Sequence, residues 1–478
     1  MNIQQLINQP EGKTLEFKRD LSSSVPVVKT LVAFANSAGG RLLIGVEDNR
    51  KVVGVEHPLD EEERLCSIIA DSITPRLVPN IELITIEDNT LLIVEVFPSG
   101  LRPHFIKAQG RDKGVYVRLG SSNRQADREL TGELLRSIQG VSFDESPLTK
   151  LSVNDIDITA IQHAFADDRT ISAKKLLTLK LLTTEQGNLV PTIGAVLLFG
   201  KERIFHFPDA WIQCGRFIGK DKADIFDHIE LYDHLPQAIE SIMLFLKKHA
   251  MRGADFSDIR RKDVWSIPLT ILREMIINAL VHSDYSQRGA PIRIAFFDDR
   301  IEVENPGILL PGMTIDDMKQ GISKIRNPVI ARVFRELNLI EQWGSGVRRI
   351  FKEAENLKLP PLEIVEIGMR LRFTVYLATP VKPAIEALKH IGVESGVGSG
   401  VESPASNMKF QILTLLKQSS LAKSQIATEL GKTKPNRYLN DLMHKLRTDG
   451  CVEYTIPDKP NSRLQRYRLT STGARLIS

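Results

Sequence analysis

One stretch, Arg273–Tyr285, constrains the fold more than any other. It reads REMIINALVHSDY, and in an otherwise apolar helical segment Glu274, Asn278 and His282 recur every fourth residue, so they share one face. Met275, Ile276, Ile277, Ala279, Leu280 and Val281 fill the remaining surface, as in a helix buried all round. A buried carboxylate and a buried amide need partners. In one arrangement Glu274 and Asn278 cap a neighbouring loop and His282 is a satisfied core histidine. In the other the stripe faces a cavity, where a carboxylate and an amide oxygen suit a hydrated divalent metal carrying nucleotide phosphates.

The residues that follow favour the cavity. Ile292–Phe297 alternates as a strand, Asp298-Asp299-Arg300 turns, and Ile301–Glu304 returns to a Pro-Gly break at Pro306-Gly307. Further on, Trp343-Gly344-Ser345-Gly346-Val347 opens a periodic helix over Val347–Ala354, and glycines at a helix start let backbone N–H groups approach phosphate. Over Ile267–Leu377 these motifs resemble the GHKL ATPase fold, and more closely its divergent branch of RecG-related proteins and transcriptional regulators. In that branch N-A-x-x-H-x-D-Y, an E/S-N-P-G turn, R-N-P (Arg326-Asn327-Pro328) and W-G-S-G recur in this order. The resemblance implies that Glu274 activates the attacking water, that Asn278 holds magnesium, and that Gly344 and Gly346 hinge a lid over the phosphates of ATP. His282, Glu304, Asn305 and Gly307 fall on the nucleotide-binding motifs. The turn departs from the usual D-x-G-x-G, whose Asp accepts a hydrogen bond from the adenine amino group, so nucleotide binding is expected ahead of hydrolysis.

The first part of the chain reads as a second unit. Glu11–Lys18, the helix Val25–Asn36, Gly39-Gly40, the strand Arg41–Val46, Glu47-Asp48-Asn49 and then Tyr116–Ser122 resemble, in order and spacing, the Schlafen AlbA-type domain across about Leu6–Leu135. The resemblance implies nucleic-acid binding. In some Schlafen members three carboxylates and a divalent metal also cut RNA, and the matching residues are Glu11, Glu16 and Asp48, with Glu47 as a substitute and Glu16 and Asp48 as metal ligands. Clustered carboxylates suit magnesium or manganese that activates water. Glu16, flanked by Leu15 and Phe17 on a strand, is equally suited to pairing with Lys18 or Arg118.

Charge is uneven along the 478 residues although the net value is only +4. From Lys409 onward basic residues clearly outnumber acidic ones, a nucleic-acid footprint. Phe410–Leu416, Lys423–Leu430 and Asn436–Thr448 read as three helices, followed by strands Cys451–Ile456 and Leu464–Leu469, the outline of a winged helix-turn-helix. Arg437 and Lys445 would lie on the helix that enters the major groove, and Lys459, Arg463, Arg466 and Arg468 would arm the wing against phosphates. The same outline also serves protein contact or dimerisation.

The remaining segments bound the reading. Leu148–Ser266 is expected to be a scaffold, with a helix in Leu151–Ala164, an apolar strand over Thr192–Phe199, a strand pair in Ile204–Phe217 and a helix over Leu235–His249. The G-V-E-S repeat of Gly392–Ser403 reads as a flexible tether. Cys66, Cys214 and Cys451 are scattered, which argues against a disulfide framework or a zinc site. The start of the chain lacks the pattern of a signal peptide and no apolar run approaches membrane-spanning length, so a cytoplasmic location is expected. With no G-x-x-x-x-G-K-[ST] loop in the sequence, a helicase motor is not expected.

The expected architecture is a multidomain α+β protein: a Schlafen AlbA-type domain over 1–140, a connector over 141–266, a GHKL-like α/β sandwich over 267–380, a linker over 381–408 and a winged helix-turn-helix over 409–478. The leading function is a nucleotide-responsive DNA-binding regulator that uses ATP and magnesium. The alternative is a metal-dependent nuclease or ATPase of nucleic-acid metabolism or defence. DNA is the expected partner, with RNA as a second candidate, and GHKL relatives frequently form homodimers.

Overall fold

The computed structural model describes residues 3–165, 171–255, 262–265, 267–340, 346–377, 412–417, 419–429, 437–456 and 465–474. The chain forms two compact units, Met1–His390 and Ile391–Ser478, and its class is mixed α+β over several sheets. The tether read at 381–408 lies outside the described residues.

The first unit begins with a four-stranded sheet in the order Leu15–Lys18, Gly40–Ile44, Asn89–Val96, Asn80–Ile86. The first pair is parallel, with Glu16 opposite Leu42, and the others are antiparallel. The parallel pair needs a crossover, and the helix Ser24–Asn36 supplies it, burying Val27, Val28, Leu31 and Phe34. Gly39 ends that crossover at φ +78, where a Cβ would stand 2.6 Å from the Val96 carbonyl, so only glycine fits the turn into the next strand.

The second sheet has six strands, in the order Asp224–Leu231, Ile212–Ile218, Ile292–Phe296, Arg300–Pro306, Arg370–Tyr376, Glu363–Ile367. Ile212–Ile218 and Ile292–Phe296 run parallel; every other neighbour is antiparallel. Alternation sends Ile292, Ile294, Phe296, Ile301 and Val303 into one large core shared with the helices Leu235–Ala250, Leu269–His282, Pro328–Glu336 and Gly346–Asn356. Each such buried aliphatic or aromatic side chain contributes about 1.5–3 kcal/mol.

Three expectations change here. Residues 141–266 do more than connect, because two of the six strands and the helix Leu235–Ala250 come from them. The run expected as a strand over Thr192–Phe199 is instead a helix, Ile193–Phe199, capped by the Thr192 hydroxyl, which accepts from Ala195 N–H at 3.2 Å. All seven of its residues are buried, so hydrophobic periodicity carried no signal, and the cap was the only local cue. Ile204–Phe217 holds a short helix, Arg203–His206, and one strand rather than a strand pair.

The second unit contains helices over 412–417, Lys423–Glu429 and Arg437–Thr448, then an antiparallel pair, Val452–Tyr454 with Tyr467–Leu469. Ile412, Leu416, Ile426, Leu439, Met443 and Leu446 form its core. Among the described residues no helix is long and apolar enough to cross a membrane.

Candidate functional site

The helix Leu269–His282 presents its polar stripe to a cavity of about 360 Å³, and Glu274, Asn278 and His282 all line it. Asn278 Nδ2 donates to the Glu274 carbonyl at 2.8 Å and to Glu274 Oε1 at 2.9 Å. Arg349 donates to Glu274 Oε2 at 3.3 Å from the helix Gly346–Asn356. Gly346 opens that helix directly against the carboxylate, where a Cβ would overlap Oε1 of Glu274. Val303, Ile308, Leu371 and Phe373 form an apolar floor, and Lys324, Arg326, Arg335 and Arg349 supply four cations. Such a lining suits an anion that carries an apolar or planar portion.

At the other end of the stripe, Asn305 Nδ2 donates to the Pro306 carbonyl at 3.1 Å and the His282 carbonyl at 3.5 Å. Arg326 distributes its guanidinium over three acceptors: Glu133 Oε1 at 2.8 Å, the His282 carbonyl at 2.8 Å and the Ile308 carbonyl at 2.6 Å. Asn327 Nδ2 donates to the carbonyls of Val281 and Ser283, giving partners to buried carbonyls at the C-terminal end of the helix. Burial, and then the Arg326 charge, hold the His282 imidazole down to about 4, so it is neutral near pH 7.

Five of the expected residues therefore share one cavity: Glu274, Asn278, His282, Asn305 and Gly346. Glu304 is not among them. Register places it on the opposite sheet face from Val303 and Asn305, where Arg372 Nη2 lies 2.6 Å and Lys222 Nζ 3.5 Å from its Oε1. Its carboxyl is held below the ordinary value against its burial by the Lys222 and Arg372 charges. Gly307 adopts φ +99 and packs against Arg326 and Asp284 rather than lining the cavity. Gly344 lies outside the described residues.

The carboxylates of the N-terminal sheet do not share a metal position. Glu16 is buried, with Arg118 Nη2 2.5 Å from Oε2 and Lys18 Nζ 2.5 Å from Oε1. Arg118, itself fully buried, also donates to the Gly12 and Leu15 carbonyls and to Asn123 Oδ1. Glu11 accepts from Phe17 N–H at 2.9 Å. Asp48 stands past the end of the Gly40–Ile44 strand in an exposed turn. Among the described residues no group of three His, Cys, Asp or Glu could hold a metal ion, and Glu16, expected as a ligand with Asp48, is an ion-paired core residue.

In the second unit, Arg468 Nε donates to Glu453 Oε1 at 2.7 Å and Arg466 Nη1 to the Ser420 carbonyl at 3.4 Å. Arg437 and Lys445 lie on the Arg437–Thr448 helix, but their side chains, with all of Lys459 and Arg463, fall outside the described residues.

With this geometry in place, residues 11–127 match the family described as Schlafen, AlbA_2. Residues 289–377 match the one described as "Putative ATP-dependent DNA helicase recG C-terminal". The chain thus carries a match to a Schlafen AlbA_2 family near its start and a match to a RecG-C-terminal-type family further on. Residues 410–470 match the C-terminal domain of Fic-like proteins, Fic being filamentation induced by cAMP. Among solved structures, the chain is similar to the DIP2311 protein from Corynebacterium diphtheriae, at 17% identity over 96% of this chain and 95% of that one, with a TM-score of 0.41. It is also similar to the N-terminal domain of a RecG-related protein from Nitrosomonas europaea, at 31% identity over 26% of this chain and 90% of that one, with a TM-score of 0.22. No curated protein matches.

The match to the RecG-type domain begins at residue 289, after the helix that carries Glu274 and Asn278, so their placement rests on the cavity itself. Magnesium fits this lining. Asn278 commits its Nδ2 to Glu274, which leaves Oδ1 as the oxygen the amide can offer a cation, and magnesium takes one or two protein ligands with phosphate and water completing its shell. Arg349 and Lys324 escaped the sequence reading, although a basic residue one turn inside a glycine-led helix was a usable signal. Glu133 gave none, because its partner Arg326 is 193 residues away.

Proposed function

We propose that the cavity of the RecG-type domain binds ATP with magnesium and that the protein is a nucleotide-responsive DNA-binding regulator. The observation that carries this reading is the convergence of Glu274, Asn278 and Gly346 on one cavity from two separate helices, beside four cations and over an apolar floor. Asn278 would hold the metal through its amide oxygen and Glu274 would orient or deprotonate water; magnesium, when bound, neutralises phosphate charge. Arg349 and Lys324 supply fixed positive charge for the phosphates. The floor of Val303, Leu371 and Phe373 suits a base.

The DNA-binding part of the reading rests on the second unit. Three helices and a strand pair, with a basic surplus, support a winged helix-turn-helix, and the Fic-like C-terminal match is compatible with it. Arg437 and Lys445 would read bases, while Lys459, Arg463 and Arg466 would contact phosphates; Arg468 shares its charge with Glu453. We further read the protein as cytoplasmic and homodimeric, the latter from its GHKL resemblance.

Calorimetry of the full chain with ATP and magnesium tests the nucleotide claim: wild type binds, and Asn278→Ala loses the metal-dependent part. Equal binding by both would overturn the assignment. Deleting Met408–Ser478 should remove most duplex affinity and flatten its dependence on salt, since fewer phosphates are neutralised. An unchanged salt slope would place the DNA surface elsewhere.

A further inference from the structure

The wall of the cavity on the Ile308–Met313 side belongs to two domains at once. Ile308 lines the cavity, yet its side chain sits in an apolar cluster with Val115, Val117, Leu130 and Leu134 of the N-terminal domain. Next to it, the Leu309 N–H donates to Glu366 Oε1 at 2.8 Å, and Lys13 Nζ donates to both oxygens of that carboxylate at 2.6 and 2.7 Å. The Lys13 and Glu366 side chains are only 13% and 4% exposed. Gly312 N–H donates to the Ser37 carbonyl at 2.9 Å, and Ser37 Oγ in turn accepts from Arg118 N–H. Finally, Glu133 holds Arg326, whose other two donors fix the carbonyls of His282 and Ile308. Neither Lys13 nor Glu133 lines the cavity.

We propose that Lys13 and Glu133 are positioning residues for the nucleotide cavity, so that the N-terminal domain sets the shape of its wall and nucleotide binding is thermodynamically linked to the state of that domain. The inference rests on the nucleotide reading above. The physical reason is that three backbone groups of the wall, the Leu309 and Gly312 N–H groups and the Ile308 carbonyl, find their partners, directly or through Glu366 and Arg326, in the N-terminal domain. A buried carboxylate that loses its cation is costly and tends to move toward another partner, and a Glu366 that moves releases the Leu309 amide. A wall that moves with the N-terminal domain has two arrangements that nucleotide distinguishes, and linkage then runs in both directions.

The test is an ATP–magnesium titration of the full chain as wild type, Lys13→Met and the double variant Lys13→Met/Glu366→Gln. Lys13→Met is expected to weaken ATP binding by about tenfold, within the usual range for coupled sites. The double variant is expected to recover most of that loss, because a neutral glutamine oxygen still accepts from Leu309 N–H and needs no cation. A loss that persists undiminished in the double variant is general destabilisation and overturns the proposal. Equal affinities for wild type and Lys13→Met also overturn it while leaving the nucleotide reading intact, whereas a wild type that binds no ATP removes both. Should Lys13→Met fail to fold, hydrogen exchange on the wild type decides: ATP should slow amides in the Arg128–Gln139 helix and around Ser37 as well as at Ile308–Met313. Slowing confined to the residues that line the cavity would sink the inference.

Discussion

Gly346 and Glu274 touch so closely that no side chain can be added at the first without moving the second. The helix of Gly346 thus begins against a carboxylate, an anion at the positive end of a helix. Gly346→Ala is expected to lower ATP affinity at least tenfold and to cost ~1–3 kcal/mol of stability, the usual range for overpacking. On a Glu274→Ala background the same change should cost much less, which a double-mutant cycle by urea denaturation measures. Equal costs in both backgrounds would mean that the contact is not what excludes a side chain at 346.

Glu274→Gln separates binding from chemistry. It keeps an acceptor for the Asn278 amide and preserves the cavity's shape, so ATP binding should stay within a few-fold of wild type. Any hydrolysis should fall by about 10²-fold or more, the contribution of a general base. Phosphate-release assays on both proteins check this, and an unchanged rate would move the base elsewhere.

Arg118 is the most heavily bonded side chain of the N-terminal domain, with Glu16, Asn123 and two carbonyls as partners. Arg118→Met leaves the Glu16 carboxylate buried beside Lys18 alone and should destabilise the protein by about 3–5 kcal/mol. Chemical denaturation reads this directly, and a loss below 1 kcal/mol would show that water reaches Glu16 freely.

Two buried groups give opposing pH dependences. The His282 imidazole is held down from 6.5 to about 4 by burial and then by Arg326, so as pH falls through that window the unfolded chain takes up a proton that the folded one refuses, and stability falls. The Asp144 carboxyl is pushed up from 3.8 to about 7 by burial, although Val329 and Ile330 N–H groups donate to it. Across that range the folded chain keeps a proton that the unfolded one has lost, so stability falls as pH rises. Between about pH 4 and 6.5 the two contributions partly cancel. Asp144→Asn should therefore gain stability more steeply with rising pH than wild type, and His282→Gln less steeply. Denaturation midpoints measured across this range decide, and a variant whose profile overlays wild type lacks the assigned titration.

Local pattern made much of this site legible. The spacing of Glu274, Asn278 and His282 set their common face, and the alternation in Ile292–Phe297 and Ile301–Glu304 set the hairpin next to them. The same alternation also held the answer for Glu304: Ile301 and Val303 face the core, so Asn305 shares their side and Glu304 cannot. Family motif position outweighed strand parity in the sequence reading, and parity won. What was not legible is what crosses the chain. Asp144 caps the helix Pro328–Glu336 from 185 residues away, and Glu16 finds Arg118 at a separation of 102 residues. Pairings of that kind depend on the assembled fold and leave no periodicity behind.

The Lys13–Glu366 bridge closes a loop of 353 residues. A growing chain exposes Lys13 long before its partner, which follows only after all but the last strand of the six-stranded sheet has been made. Within the first unit the N-terminal sheet has all its strands long before then and can fold on local contacts, while the wall of the cavity must wait for the Glu363–Ile367 strand to arrive. A chain interrupted before Glu366 would therefore carry a folded Schlafen-type domain with Leu309 and Lys13 both lacking their shared partner, so the cavity is a late product of synthesis and closes only once nearly the whole first unit has been made.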